Sequence, residues 1–277
     1  MRKRIVFILF FLALVSLHAQ SRFSLSFSQS YSKDWQSGEK HILESSLFFE
    51  NKTNFNIDKF NNASTIKIAL GCQLVRDKDY SGVDYFTPTD NELYFDYQLK
   101  YMLGWLLDPF VSFTVSTPVV ESFILSQSKR SVTSAFRDPI TTMQGMGFAF
   151  SLNDSIKTIT SRIGVSLKQV RAHLNTRLTD DYSTSGVIER YKPESGINFK
   201  TELTYYISKD LIYRSNAEFF GTFKILELWT VKWQNEIQVN IWKFLCILIK
   251  ADVYYDEKQK AELQFKQSTR FAVAANL

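Results

Sequence analysis

Two histidines, His41 and His173, and two cysteines, Cys72 and Cys246, are the residues beyond the N-terminal segment best suited to chemistry. A histidine that can deprotonate a nearby serine activates it as a nucleophile, the arrangement a lipid hydrolase needs. His41 precedes Ser45 and Ser46, and His173 precedes Asp180 and Asp181. No recognisable catalytic motif surrounds either, and both fall at the ends of strand-like segments, where a solvated structural histidine is the default. No catalytic, cofactor-binding or metal-binding residue is assigned, no cofactor is implied, and the chain is not expected to be an enzyme. Cys72 shares its parity with Ile66, Ile68 and Leu70, whereas Cys246 shares its parity with Lys250 and Asp252. Opposite faces make a disulfide between them unfavourable, and neither spacing is that of a metal site.

These residues must be positioned by strands. In "WTVKWQNEIQVNI" (229–241), Trp229, Val231, Trp233, Ile237, Val239 and Ile241 occupy one parity. Thr230, Lys232, Gln234, Glu236, Gln238 and Asn240 occupy the other. Successive side chains of a strand point to opposite faces, so the segment is apolar on one side and polar on the other. The same alternation runs through "RFSLSFSQSY", "HILESSLFFENKT", "NELYFDYQLKY", "INFKTELTYYIS" and "AELQFKQSTRF". In "NELYFDYQLKY" it sets Leu93, Phe95, Tyr97, Leu99 and Tyr101 against Glu92, Asp96, Gln98 and Lys100. Helical periodicity is sustained nowhere.

The pattern predicts strands near 22–31, 41–54, 65–76, 91–103, 110–119, 141–153, 157–171, 196–208, 211–224, 229–241, 244–256 and 261–274. In "TTMQGMGFAF", Met146, Phe148 and Phe150 alternate with Gly145, Gly147 and Ala149. The run "IWKFLCILI" (241–249) is apolar on both parities and reads as a buried core segment. Connections after even-numbered strands are mostly short, as in "GWLLDP", "NDSI" and "KD"; most after odd-numbered strands are longer, including 120–140. "FNIDKFNNAS" is expected to be a long connection that departs from this rule.

Residues 1–19 read as a signal peptide: Arg2, Lys3 and Arg4 precede the apolar run Ile5–Leu17, and cleavage is expected between Ala19 and Gln20. Loss of those three cations lowers the formal net charge from +5 to +2. Charges are dispersed, without the basic stripe of a nucleic-acid binder, so nucleic acid is not an expected partner. Residues 20–277 contain no linker or composition break and form one expected domain.

Long alternating strands, an even strand number and short turns opposite longer loops together predict an all-β, antiparallel up-and-down transmembrane β-barrel of about 12 strands. About 9–11 residues of tilted strand cross a bilayer, which accounts for the length of 229–241. Aromatic residues make up 15% of the chain. Tyr101, Trp105, Tyr205, Trp242 and Phe244 fall at the short-turn end, and Tyr31, Trp35, Trp229, Tyr254 and Tyr255 towards the long loops, as interfacial girdles would. A secreted soluble β-sandwich also alternates, but it accounts less well for strand length and turn asymmetry. The expected location is the outer membrane of a Gram-negative bacterium, with outer-membrane lipid and the barrel-assembly machinery as partners.

On the polar parity of the last six strands lie Lys200, Glu202, Arg214, Glu218, Lys232, Glu236, Lys250, Asp252, Glu262, Lys266 and Arg270, the candidate lumen-facing set. Arg162, Lys168 and Lys224 share that parity, giving a modest basic excess. A narrow porin-like channel or transporter for small polar solutes is the leading reading, with a preference for anions if the excess faces water. The alternatives are a structural barrel plugged by its own salt bridges or, less favoured, an outer-membrane lipid-modifying enzyme.

"YDEKQKAELQFKQSTRFAV" (255–273) resembles the closing hairpin of an outer-membrane β-barrel family of unknown function common in Bacteroidetes-type bacteria. "SYSKDWQSGEKHI" is similar to its N-terminal Trp-x-x-Gly-Gly hairpin, and "TDNELYFDYQLKY" to its fourth strand, which begins acidic. Glu39 stands where that hairpin has its second glycine, and the sequence ends in Leu277 where such barrels commonly end in an aromatic residue. The resemblance implies the fold and the location, and no reaction.

Overall fold

The computed structural model describes residues 19–32, 40–77, 85–126, 129–180, 187–224, 229–256 and 260–276. Nearly all of the expected signal peptide, and the Trp35–Glu39 part of the first hairpin loop, lie outside them. The strands, in chain order, are β1 (Ala19–Ser32), β2 (Lys40–Ile57), β3 (Phe60–Asp77), β4 (Tyr85–Tyr101), β5 (Asp108–Thr117), β6 (Ser122–Ser126) and β7 (Lys129–Ser134). They continue with β8 (Ile140–Asn153), β9 (Lys157–Arg171), β10 (Tyr191–Tyr206), β11 (Leu211–Thr222), β12 (Trp229–Asn240), β13 (Leu245–Asp256) and β14 (Lys260–Asn276).

Twelve of these close into an antiparallel barrel in the order β1-β14-β13-β12-β11-β10-β9-β8-β5-β4-β3-β2, and β6 and β7 pair only with each other. All twelve expected strands are therefore present, with two corrections between them. The segment 120–140 is not a plain loop, because it carries the β6–β7 hairpin. "FNIDKFNNAS" is not a long connection: pairing continues through Phe55↔Asn62 and Asn56↔Asn61 to Ile57↔Phe60. Asp58, at φ 52°, makes the tight reversal, a left-handed conformation that Asp tolerates better than most residues. Its asparagines read as loop, but they are a wet extension of two strands, bound side chain to side chain through Asn61 and Asn54. All connections at that end of the barrel are now short, and the long ones lie at the other end, where the β13–β14 connection is short as well.

The closing β1–β14 pair is the exception in extent. It makes six register pairs, from Arg22↔Asn276 to Phe27↔Phe271, although both strands are long. The β2–β3 ladder runs unbroken from Lys40↔Asp77 to Ile57↔Phe60.

Small residues shape the wall between β8 and β9. Gly147 and Gly164 are register partners, and a Cβ on either would strike the main chain opposite. This bare strip lets the buried Phe110 ring, whose strand sets it opposite Gly147, lie against the wall beneath Arg162.

Polarity is inverted relative to a soluble core. Phe27, Leu43, Val111, Met146, Ile163, Ile197, Trp233, Phe265 and Phe271 are exposed on the outer surface, distributed over most of the circumference. Trp105 and Trp242, each 80% exposed, project from short turns. The buried set is largely polar: Ser24, Ser26, Asp96, Arg162, Lys200, Gln238 and Arg270. The two-sided apolar run 241–249 has a structural reason. Cys246 and Leu248 pack inward against Ala272, while Leu245 on the other parity is exposed.

Candidate functional site: a cross-linked lumen

The polar parity of the strands projects into the bore, and most of the described charges meet there in three groups. The first centres on Asp96 of β4. Its carboxylate accepts from Lys200 Nζ at 2.9 Å, from Arg162 Nη2 at 3.0 Å and from Thr114 Oγ1 at 3.1 Å. Lys200 also reaches Glu202 at 2.9 Å and Glu218 at 3.5 Å, and donates to the Tyr94 hydroxyl at 3.0 Å. Lys52 of β2 closes on Glu202 at 2.9 Å, and Lys67 of β3 on Glu50 at 3.4 Å.

In the second group Glu236 of β12 accepts from Arg22 of β1 at 2.7 Å and Arg214 of β11 at 3.0 Å, with Lys250 of β13 at 3.5 Å. In the third, Arg270 of β14 binds Glu44 of β2 at 2.7 Å, Asp90 at 2.9 Å and Ser46 Oγ at 2.7 Å. Such pairing is what allows charges to be buried at all, since an unpaired ion away from water is strongly disfavoured.

Two contacts cross the whole bore. β2 and β10 have five strands between them in either direction, as do β4 and β12. Lys52–Glu202 joins the first pair at 2.9 Å, and Lys232–Glu92 the second at 3.8 Å. Two cavities, ≈540 and ≈530 Å³, both have Glu92 and Lys232 in their walls. Arg22, Asp90 and Arg270 line one, and Lys168, Lys192 and Glu194 the other.

Loop segments at the long-loop end narrow the second cavity. Leu178 and Asp180 form part of its wall. They are held there because the buried Thr179 Oγ1 donates to the Glu189 carbonyl at 2.7 Å. Asn91 similarly binds the β5–β6 connection, its Oδ1 accepting from Val119 and Val120 N–H at 2.8 and 2.9 Å.

Of the candidate lumen set, Lys200, Glu202, Arg214, Glu218, Lys232, Glu236, Lys250 and Arg270 take part in these ion pairs, and Asp252 lines the first cavity. Lys266 is the register partner of Asp252; its side chain and that of Glu262 lie outside the described residues. Lys224 lies beyond the end of β11. Arg162 proves central, as do residues of the first strands that were not singled out: Arg22, Glu44, Glu50, Lys52, Lys67, Asp90, Glu92 and Asp96. For Glu44, Glu50, Lys52, Glu92 and Asp96 the signal is the parity of "HILESSLFFENKT" and "NELYFDYQLKY", and for Arg22 that of "RFSLSFSQSY". These first-strand residues bring five acids against three bases, which offsets about half of the basic excess, nine cations against five acids, of the last six strands.

The histidines and cysteines are dispersed. Cys72 is exposed and Cys246 buried, both as free thiols. His41 has its side chain outside the described residues. His173 lies on the outer rim, where its Nε2 accepts from Arg171 Nε at 3.3 Å. Asp180, its proposed companion, instead accepts from the Glu189 N–H at 3.2 Å. Among the described residues, no three or more His, Cys, Asp or Glu side chains gather as a metal site would require.

The fold and its interior thus define a closed twelve-stranded antiparallel β-barrel with an ion-paired lumen. No protein-family pattern matches the chain, and no curated protein is similar to it. Among solved structures it is similar to the translocator domain of the autotransporter NalP from Neisseria meningitidis, with 10% identity and a TM-score of 0.41 over 99% of this chain and 94% of that one. It is also similar to the NanC porin, with 8% identity and a TM-score of 0.43 over 93% and 99% of the two chains. An outer membrane channel from Pseudomonas putida F1 gives 9% identity and a TM-score of 0.43 over 92% and 94%.

Proposed function

We propose that the chain is a Gram-negative outer-membrane barrel, exported by cleavage after Ala19, whose lumen is plugged by its own side chains. One observation carries this reading: the barrel wears its apolar residues outside and cross-links its charges inside, across the full bore. In a bilayer the outer apolar surface faces acyl chains, and closure leaves no strand without neighbours in the sheet. The Lys52–Glu202 and Lys232–Glu92 contacts divide the bore along two diameters. Lipid and the barrel-assembly machinery are the partners this role requires. The hairpin motifs further support membership of the Bacteroidetes-type family named above.

Passage of small polar solutes is the second reading, favoured by the two charged cavities. Planar-bilayer recording separates the two. A plugged barrel inserts with little steady conductance, and solute channels conduct in a solute-dependent way. Before that, gel mobility of unheated against boiled envelope protein tests closure. A single mobility in the soluble periplasmic fraction overturns the membrane reading.

A further inference from the structure

The lumen is a place where charges find partners; one patch on the outer wall is not. At the long-loop end of β8–β10, Ile140, Thr142, Gln169, Arg171, His173, Arg190 and Tyr191 line a groove of ≈410 Å³. It faces outward: the inward parity of β9 here holds the buried Ser166 and Val170, whereas Arg171 and Gln169 share the parity of the exposed Ile163, Val165 and Leu167. Arg171 is the register partner of both Ile140 and Tyr191, so the groove spans three adjacent strands.

The groove carries two guanidinium groups and no carboxylate in its lining. Arg171 spends its Nε on His173, and neither Arg171 nor Arg190 has an ion-pair partner among the described residues. Asp138, an acid of this rim, already caps the main chain, accepting from His173 and Leu174 N–H at 2.8 and 3.0 Å. That capping, with the Ala172 N–H to Arg190 carbonyl bond of 3.0 Å, fixes the two strand ends from which the arginines project.

Position identifies the ligand. Directly below, towards the short turns, the outer wall becomes apolar, with Met146, Ile163, Val165, Leu167 and Ile197 exposed. The patch thus sits where acyl chains would give way to headgroups, with Tyr191, 51% exposed, at the boundary as interfacial aromatics prefer. Guanidinium groups bind phosphate oxygens with paired donors. Resting on the membrane placement proposed above, we infer that Arg171 and Arg190 form a site for the anionic, phosphate-bearing headgroup of an outer-leaflet lipid whose acyl chains lie along β8–β10.

The test uses the full-length mature protein in dodecylmaltoside and native mass spectrometry with two probes, palmitoyl-oleoyl phosphatidylglycerol and the matching phosphatidylcholine. The expected result is that phosphatidylglycerol adducts survive activation that strips phosphatidylcholine. Arg171→Ala/Arg190→Ala should lower phosphatidylglycerol retention by about tenfold or more, since each cation near an anionic headgroup adds to its binding. Arg171→Lys/Arg190→Lys should retain part of it, and Lys157→Ala/Lys209→Ala, at the short-turn end, should leave it unchanged. Heat-dependent gel mobility checks that every variant is folded. Retention that persists in the double alanine variant overturns the site. Full competition by equimolar inorganic phosphate overturns the lipid and leaves a free-anion site. The membrane reading fails separately: wild-type protein released from envelopes by urea without detergent overturns it, whereas urea-resistant protein with no lipid preference overturns only this inference.

Discussion

Lys52 and Glu202 belong to strands on opposite sides of the barrel, yet their charged ends meet at 2.9 Å. Neither is deeply buried; their side chains are 38% and 30% exposed, so water screens the pair and little stability rests on it. Its effect is geometric, because it divides the bore. Lys52→Ala combined with Glu202→Ala should therefore leave heat-dependent gel mobility close to wild type while raising single-channel conductance in planar bilayers. Unchanged conductance would place the block elsewhere, as at the Lys232–Glu92 contact that crosses the bore on another diameter.

Asp96 is the opposite case. Its side chain is 10% exposed and faces Arg162 and Lys200, 7% and 5% exposed. Asp96→Asn removes the charge and leaves both cations underpaired in a poorly solvated place. The expected cost is about 3 kcal/mol, read from urea titration of the barrel in lipid vesicles. Glu92→Gln, on the more exposed 3.8 Å contact, should cost well under about 1 kcal/mol. Equal effects from the two would refute the ranking.

Gly147 and Gly164 face each other across β8 and β9. Alanine at either must push the two main chains apart, with an expected loss of about 1–3 kcal/mol and a smaller heat-modifiable fraction on refolding. Gly104, at φ 75° in a short turn with nothing near its missing Cβ, is a contrasting site. There alanine meets no neighbour and acts only through the backbone.

The two thiols report the parity of their strands. A membrane-permeant maleimide should label Cys72, which is exposed, in the folded protein in detergent, and reach the buried Cys246 only after boiling. Mass spectrometry of the digested adducts distinguishes them. Rapid labelling of Cys246 in folded protein would mean that β13 has the opposite facing.

Much of the barrel was legible because a strand with one apolar and one polar face has a period of two, and nothing else imitates that for so many residues. The tight β2–β3 turn was not, since Asn54, Asn56 and Asn61 look like loop; they are strand residues paired across the ladder, beside the exposed Phe55, Ile57 and Phe60. Hairpin β6–β7 was missed because it is short and joins no barrel strand. Lys200 and Glu236 could be assigned to the polar face from parity alone. That Asp96 and Lys52 complete their networks could not, because parity says which face a residue takes and not which distant strand lies opposite. That information resides in barrel closure and register.

Every neighbouring pair in the barrel except one is also consecutive along the chain or separated only by the β6–β7 hairpin. Those pairs can form in sequence, each new strand meeting a partner already held close, so the entropy of ordering is met in small steps. Joining β1 to β14 brings together the two ends of the whole sheet, and only six register pairs from Arg22↔Asn276 to Phe27↔Phe271 reward it. Loop-closure entropy grows slowly with chain length, but here it falls on one event with little backbone bonding in return. Arg270, binding Glu44 and Asp90 beyond the last of those pairs, adds side-chain attraction where the ladder stops. Closure is therefore expected to be a late step of assembly, the one at which the fewest backbone bonds repay the widest separation along the chain.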